Sequence, residues 1–230
     1  MIRVGLYISA SNPLNLLLLR KLTTLGINQL FVEPDVGLTE FSDARVIQCQ
    51  HYQARQRING ETAIISEVSP VGALFAGNHG IPIVSTAATT PGGFDALATN
   101  WELYERKARQ RGHSAHRGNW SLVVPMHLAR TRRKAELDIE NNLPIWLARH
   151  PGLKSLLTDH ANPTQALVNS GFAVIGSRRD AKAQIQRLTT ETGGFGNLLF
   201  LLHDWAEPEA TYQSLKLCME AISTCPAWSK

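Results

Sequence analysis

The sequence predicts an α/β protein built on a parallel sheet, and two observations carry this prediction. Short apolar segments rich in β-branched residues alternate with segments whose apolar residues recur at helical spacing along nearly the whole chain. The 230 residues, 43% hydrophobic and 18% charged, suit one buried core and are few for two domains, so a single domain over residues 1–230 is expected. About six strands are clear, and the pattern is compatible with a closed barrel or a doubly wound sheet.

The beginning of the chain predicts a β-α-β unit. Residues 1–10 form an apolar, β-branched run that suits a buried strand. Asn12 and Pro13 are residue types of a helix N-cap and first turn, and leucines then recur at helical spacing up to Gly26. Residues 29–33 (QLFVE) indicate a second buried strand. A β-α-β unit is the building block of a parallel sheet.

The middle of the chain begins with a weaker pattern, in which residues 45–50 are a strand candidate. Residues 62–66 and 81–85 predict two further short strands. Between them, Ser69 and Pro70 suit the start of a short helix over 71–76 that ends near Gly80.

The rest of the chain continues the alternation. Strands are predicted at 120–128 and 198–202. Ser177 and Asp180 have the spacing of a capping box. The predicted helices cover residues 90–112, 131–149, 163–169, 177–190 and 207–223.

Charge and cysteine content exclude several classes of protein. The net charge is +4, and its basic groups, Arg130 to Arg133 and Arg178/Arg179, are spread along the chain, so no nucleic-acid partner is expected. The three cysteines, Cys49, Cys218 and Cys225, show no CxxC spacing, which argues against a zinc site or a disulfide framework, and no metal is expected.

The sequence also predicts no membrane span and a cytoplasmic location. No apolar run reaches the roughly 18 residues that a spanning helix needs. The N-terminal segment superficially resembles a signal peptide, but it divides into strand and helix at Asn12-Pro13 and lacks a small-residue cleavage site.

Four stretches carry a resemblance to a known family. They are residues 67–97 (EVSPVGALFAGNHGIPIVSTAATTPGGFDAL), 120–132 (WSLVVPMHLARTR), 170–188 (SGFAVIGSRRDAKAQIQRL) and 193–217, which contains HDWA at 203–206. In this order they resemble the C-terminal half of the bacterial-luciferase-like flavin monooxygenases. The resemblance implies a truncated (β/α) TIM-like barrel, reduced FMN, oxygen, a small organic substrate, a separate flavin reductase and a homodimer.

The chain departs from the family pattern after the second strand. Glu33-Pro34-Asp35 stands where full-length members commonly have Glu-His-His, so the histidine near the flavin ring is absent. A large segment is missing between about residues 34 and 45, including an arginine that binds the flavin phosphate and part of the dimer surface. Either residues 45–50 or a second subunit must then cover the strand edge. The family includes a shortened, non-luminescent flavoprotein of similar length.

The cofactor-binding candidates follow two predicted strands. Ser69 and Gly72 lie after residues 62–66, where helix N–H groups favour an anion and Gly72 allows a phosphate to approach. The resemblance implies that this turn contacts the FMN phosphate; the alternative is an ordinary helix start. Ser85 and Thr86 end the next strand and are compatible with flavin contact or with hydrogen-bonded strand ends.

The catalytic candidates are Glu33, His127 and His203. Glu33 is a carboxylate at the end of the second strand, and His127 near a strand end suits acid–base work at a barrel mouth or a structural role. His203 follows the last strand, where it either pairs with Asp204 and lines the pocket or helps Trp205 to pack. Residues 55–57, which are basic, are a loop surface or a substitute phosphate clamp.

Four hypotheses of function remain open at this point. The first is a monooxygenase that receives reduced FMN from another enzyme, because no GxGxxG nicotinamide motif is present. Its variant oxygenates a flavin-like heterocycle with no added cofactor. The others are a non-catalytic flavin-binding protein or inactive partner subunit, and an unrelated barrel enzyme for a phosphorylated metabolite.

Overall fold

A computed structural model describes residues 3–11, 15–38, 41–52, 61–157 and 162–224. Its strands are β1 Arg3–Ile8, β2 Gln29–Val32, β3 Arg45–Gln50, β4 Thr62–Ser66, β5 Ile83–Ser85, β6 Trp120–Val124, β7 Met126–Leu128, β8 Val174–Gly176 and β9 Asn197–Leu201. Its α-helices are α1 Leu16–Thr23, α2 Val71–His79, α3 Pro91–Gln110, α4 Arg132–Ile139, α5 Leu143–Ala148, α6 Pro163–Asn169, α7 Arg178–Thr192 and α8 Pro208–Ser223.

A closed barrel of parallel strands forms the centre of the molecule and confirms the predicted α/β barrel. The strand order is β1-β2-β3-β4-β5-β6-β9, and β9 closes the ring against β1. Strand side chains alternate between two sides, as in other barrels. Tyr7, Phe31 and Val84 belong to a cluster inside the barrel, whereas Leu6 and Leu30 pack outward against the helices.

Strand β3 covers the edge that β2 leaves open, which confirms one of the two alternatives for residues 45–50. It pairs in parallel with β2 on one side and β4 on the other. Ile47 and Cys49 point into the barrel cluster, and Gln48 alternates with them and donates from Nε2 to the Leu38 carbonyl at 3.1 Å. In its described part, the connection from β2 to β3 contains a short 3-10 turn, Pro34–Val36, and no α-helix.

The single strand predicted over 120–128 is broken at Pro125. Because proline has no N–H, it cannot continue the ladder with β9. β6 therefore pairs with β9, while β7 pairs with β8 in a separate two-stranded sheet, and the Pro125 carbonyl accepts from Val174 N at 3.0 Å. Strand β8 was not predicted, because three residues are too few to show a period.

The segment between β7 and β8 packs into a hydrophobic cluster of its own. Helices α4, α5 and α6 contribute to it, with Trp146 and Trp205 among its buried side chains. The helix predicted over 131–149 is two helices, α4 and α5, which are separated before Pro144. We call this segment, residues 129–173 without the undescribed 158–161, the excursion.

Several predicted helix ends are shifted. Helix α1 begins at Leu16, where the Asn15 side chain accepts from Leu18 N at 2.9 Å. Asn12, Pro13, residues 55–57 and Cys225 lie outside the described residues. The predicted Ser177–Asp180 capping box is confirmed. No helix in the described ranges has the length and apolar character needed to cross a membrane.

Candidate functional site

The C-terminal ends of the barrel strands open into a cavity of about 310 Å³. This is the end at which barrels of this type hold their active sites, and the volume lies at the lower limit of small-molecule pockets. Larger grooves of about 730 and 860 Å³ lie beside the helices, and the first of them is also lined by Leu202, His203 and Asp204, just after β9. The floor of the cavity comes from the barrel and includes Tyr7, Glu33, Thr86, Val123 and Leu201. The roof comes from the excursion and includes Trp146, His150, Leu153 and Phe172.

The Glu33 carboxylate is the polar centre of the floor. It follows β2 directly, and its backbone N–H donates to the Ile8 carbonyl of β1 at 3.1 Å. Its Oε1 accepts from the Tyr7 hydroxyl at 2.7 Å, and its Oε2 accepts from the Ser9 hydroxyl at 2.9 Å and the Ala10 N–H at 2.8 Å. Three donors thus fix the carboxylate beside the cavity, and a catalytic role for Glu33 stays a prediction.

Two titratable groups beneath the cavity stay protonated. Burial raises the pKa of the Tyr7 phenol far above its usual value, and Cys49 and the Glu33 carboxylate raise it further. Burial likewise raises the pKa of the Cys49 thiol. Tyr7 is therefore a fixed hydrogen-bond donor, and Cys49 is a poor nucleophile.

A second polar group, His150, was missed by the sequence analysis. Its Nδ1 faces the Trp146 carbonyl at 2.7 Å, and its ring stacks on Trp146 with centroids 3.8 Å apart. Its Nε2 lies 2.9 Å from the Ser11 hydroxyl, which lies 3.0 Å from the Ser9 hydroxyl. Glu33, Ser9, Ser11 and His150 thus form a continuous series of contacts, which we call the polar chain. Two serines at alternate positions just past β1 were the available sequence signal.

Of the four predicted cofactor residues, only Thr86 lines the cavity. The Ser85 hydroxyl is buried and accepts from the Trp120 indole N–H at 3.0 Å, so it serves as a hydrogen-bonded strand end. Ser69 is exposed in the bend before α2, and Pro70 takes the N-cap position that was predicted for Ser69.

Gly72 serves the packing of α2 on β4. A Cβ at this position would lie 2.4 Å from the Ile65 carbonyl oxygen and 3.2 Å from the Ser66 Cα. The strand therefore fills the space that a Cβ of Gly72 would occupy, which gives the glycine a packing role, and phosphate contact at this turn stays a prediction. The glycine allows the helix to approach the strand closely.

His127 and His203 lie behind the cavity rather than in its lining. His127 is fully buried, its Nε2 is 3.5 Å from Asp138 Oδ2, and burial lowers its pKa against the opposing effect of Asp138. His203 faces the Met126 carbonyl through Nε2 at 3.0 Å and accepts from Trp205 N through Nδ1 at 3.4 Å. Burial, with His127 adding to it, lowers the pKa of His203 to about 3.

The HDWA motif connects the barrel to the excursion. His203 stacks on Trp205 with centroids 3.9 Å apart. The pairing expected between His203 and Asp204 is absent from these contacts; Asp204 instead forms an ion pair with Arg149 at 2.5 Å. Arg149 also donates to the Ser11 carbonyl at 3.2 Å. The motif therefore supports the packing of Trp205, which was the structural alternative.

The buried His203 should make stability depend on pH. An unfolded histidine binds a proton below about pH 6.5, whereas folded His203 does so only near pH 3. The unfolded state thus binds more protons between these two pH values. The contribution of His203 to the free energy of unfolding is therefore fully present above about pH 6.5 and decreases as the pH falls toward 3. We expect urea unfolding at several pH values to show a smaller pH slope for His203→Gln than for the wild type, by up to about 1.4 kcal/mol per pH unit. His79→Gln, at an exposed histidine, should keep the wild-type slope; an equal slope in His203→Gln would contradict the assignment.

The cavity suits a flat, largely apolar ring system. Its roof includes the aromatic side chains of Trp146 and Phe172, and the polar chain lies on one side. The remaining polar side chains of the lining are those of Glu67, Thr86 and Thr90. The described lining contains no lysine or arginine, so it offers no side-chain counter-charge for a phosphate. Within the described ranges, no group of three or more metal-ligating side chains is close enough to hold a metal ion.

Comparison with known proteins finds relatives that are named monooxygenases. No family model matches the chain. Limonene 1,2-monooxygenase from Rhodococcus erythropolis is 31% identical over 191 residues, which are 81% of this chain and 49% of that protein. The oxygenating constituent of 3,6-diketocamphane monooxygenase from Pseudomonas putida, a type II Baeyer-Villiger monooxygenase in complex with FMN, superimposes with a TM-score of 0.54 at 25% identity over 73% of this chain and 48% of that one.

A third similarity concerns the fold alone. Monooxygenase RslO1 from Streptomyces bottropensis has a TM-score of 0.68 at 10% identity, covering 96% of this chain and 99% of that one. By contrast, the chain spans about half the length of the first relatives it matches by sequence.

Proposed function

The chain is a homologue of the luciferase-like, flavin-dependent monooxygenases, and on this premise we propose that it oxygenates a small organic molecule with reduced FMN and molecular oxygen. The observation that carries the proposal is the cavity at the strand ends, which combines apolar aromatic walls with the Glu33 carboxylate. A separate flavin reductase would supply the reduced cofactor.

The residues of this chain would bind, orient and shield the reactants. When bound, a reduced flavin supplies the electrons that activate oxygen. Trp146 and Phe172 would cover the ring from the excursion, and Val123 and Leu201 would contact it from the barrel, so that water is excluded. Thr86 would hydrogen-bond the ring edge, and Glu33, held by Tyr7, would present its carboxylate to the reacting molecules.

The proposed substrate is a compact, alicyclic molecule. The names of two relatives refer to limonene and to diketocamphane, and both are compact rings. The mostly apolar walls of the cavity suit a molecule of this kind.

We further propose a cytoplasmic homodimer. The exposed leucines Leu16 and Leu17 and the exposed Ile145 border one groove, and such a patch favours association. Light scattering on the purified protein would measure the dimer directly.

Binding and turnover test the function separately. We expect added FMN to bind, with a shifted flavin absorbance band and quenched fluorescence. With chemically reduced FMN and ¹⁸O₂, limonene should gain labelled oxygen, and a linear alkane of equal carbon number should not. FMN binding without product would favour the non-catalytic alternative. Failure to bind FMN, or product formation without any flavin, would refute the proposed function.

A further inference from the structure

We propose that Glu33 and His150 share a single proton through the hydroxyl groups of Ser9 and Ser11. The sharing is a property of the free protein, whereas its use in turnover rests on the proposed function. It would make His150 a proton source for a carboxylate that lines the cavity.

The polar chain consists of three contacts. They join His150 Nε2 to Ser11 Oγ at 2.9 Å, Ser11 Oγ to Ser9 Oγ at 3.0 Å, and Ser9 Oγ to Glu33 Oε2 at 2.9 Å. Each of these distances is that of a hydrogen bond. Each hydrogen bond requires one hydrogen between its two heavy atoms.

The two serines cannot supply enough hydrogens. Each hydroxyl carries one hydrogen, so the serines fill two of the three contacts. The third hydrogen must come from one of the ends, either from Nε2 of His150 or from Oε2 of Glu33. If both ends lacked it, Ser9 and Ser11 would donate outward and their two oxygens would face each other at 3.0 Å with no hydrogen between them.

The other contacts of the two end groups fix the remaining hydrogens. The Trp146 carbonyl can only accept, so Nδ1 of His150 carries a hydrogen in every arrangement. Oε1 of Glu33 accepts from the Tyr7 hydroxyl, and Oε2 accepts from the Ala10 N–H as well as facing Ser9. The only freedom left is the position of the shared proton.

Two arrangements satisfy every contact, and they differ by one transfer. In the first, His150 is an imidazolium, Glu33 is a carboxylate, and each hydroxyl donates toward Glu33. In the second, His150 is neutral, Glu33 is a carboxylic acid, and each hydroxyl donates toward His150. Conversion breaks the Nε2–H bond and forms the Oε2–H bond, while each serine gives one proton and receives one, so the charges balance.

The surroundings leave these two groups as the partners of the exchange. The Arg149–Asp204 ion pair lies beside Ser11, and its positive and negative charges balance each other. On the other side, Tyr7 keeps its proton because burial raises its pKa, and Glu67 reaches the cavity from an exposed position after β4. Under the proposed function, a proton held on Glu33 lies next to the bound reactants and is replaced from His150 at the rim.

His79 provides an internal reference for the test. Its Nδ1 faces the Phe75 carbonyl at 2.8 Å, four residues earlier, and its ring lies 4.3 Å from the Phe75 ring. His150 has the same relation to Trp146. His79 is exposed and, within the described residues, no serine series leads from it to a carboxylate, so it isolates the effect of the polar chain.

The experiment measures the ring nitrogens of both histidines by long-range ¹H–¹⁵N correlation in the ligand-free protein. In the wild type, we expect the Nε2 shift of His150 to depend on the whole polar chain. Ser9→Ala, Ser11→Ala and Glu33→Gln should each change this shift at the same pH, and the His79 signals should stay unchanged.

A wild-type Nε2 shift that none of the three variants alters would overturn the inference. Ser11 is exposed, so Ser11→Ala keeps the test valid if a more buried substitution prevents folding. Because the measurement uses no flavin, proton sharing without turnover would refute only the proposed function. Turnover without sharing would refute only this inference.

Discussion

Replacing Trp205 with alanine should lower the free energy of unfolding by about 3–5 kcal/mol. The side chain is fully buried in the cluster of the excursion. It stacks on His203 and meets Trp146 edge to face with centroids 5.3 Å apart. Its removal would leave a cavity between the barrel and the excursion, and the surrounding side chains can fill such a space only in part.

Urea unfolding at neutral pH measures this effect. Trp205→Phe should cost less, because phenylalanine keeps most of the apolar contact and removes an indole N–H that has no partner among the described residues. Val68→Ala serves as the control, since Val68 is 50% exposed and lies outside the cluster of the excursion and the proposed dimer patch, so it should change stability little. A loss below about 1 kcal/mol for Trp205→Ala would contradict the packing role of the HDWA motif.

Glu33→Gln should slow product formation by roughly 10²- to 10⁴-fold, which is the usual contribution of a positioned acid–base group. An amide cannot accept a proton, so it ends the exchange along the polar chain. It also replaces one acceptor oxygen by a donor next to the Tyr7, Ser9 and Ala10 donors. The initial rate with reduced FMN and limonene measures the loss.

FMN affinity should change much less than the rate in this variant, because the carboxylate touches only one side of the cavity. Glu102→Gln, at an exposed position on α3, provides a charge-matched control and should keep the wild-type rate. A Glu33→Gln enzyme with more than half of the wild-type rate would show that the reaction does not use this carboxylate.

Much of the fold could be predicted because its signals are local. The β1-α1-β2 unit and the long helix α3 follow from runs of apolar residues that need no distant partner. The path of the chain at Pro125 could not be read in the same way. A proline ends a ladder, but the next strand pairing depends on β8. This strand has only three residues, and each of them pairs with a β7 residue 48 positions earlier in the sequence.

The site was less predictable, because position at a strand end does not give side-chain direction. Ser85 and Thr86 are adjacent in the sequence, yet their side chains point in different directions. The Ser85 hydroxyl accepts a hydrogen bond from Trp120, whereas Thr86 lines the cavity. Glu33 could be chosen from its place after β2. His150 could not, because its partner Ser11 is 139 residues away in sequence.

The origin of the cavity walls has a consequence for how a ligand enters. The floor belongs to the closed barrel, and the roof belongs to the separately packed excursion. Sub-global opening occurs where cooperative units meet, at a free energy below that of complete unfolding. Amide hydrogens of α5 should therefore exchange with solvent faster than those of β6 and β9. The rate of ligand entry would follow that opening, while the floor of the cavity stays assembled throughout.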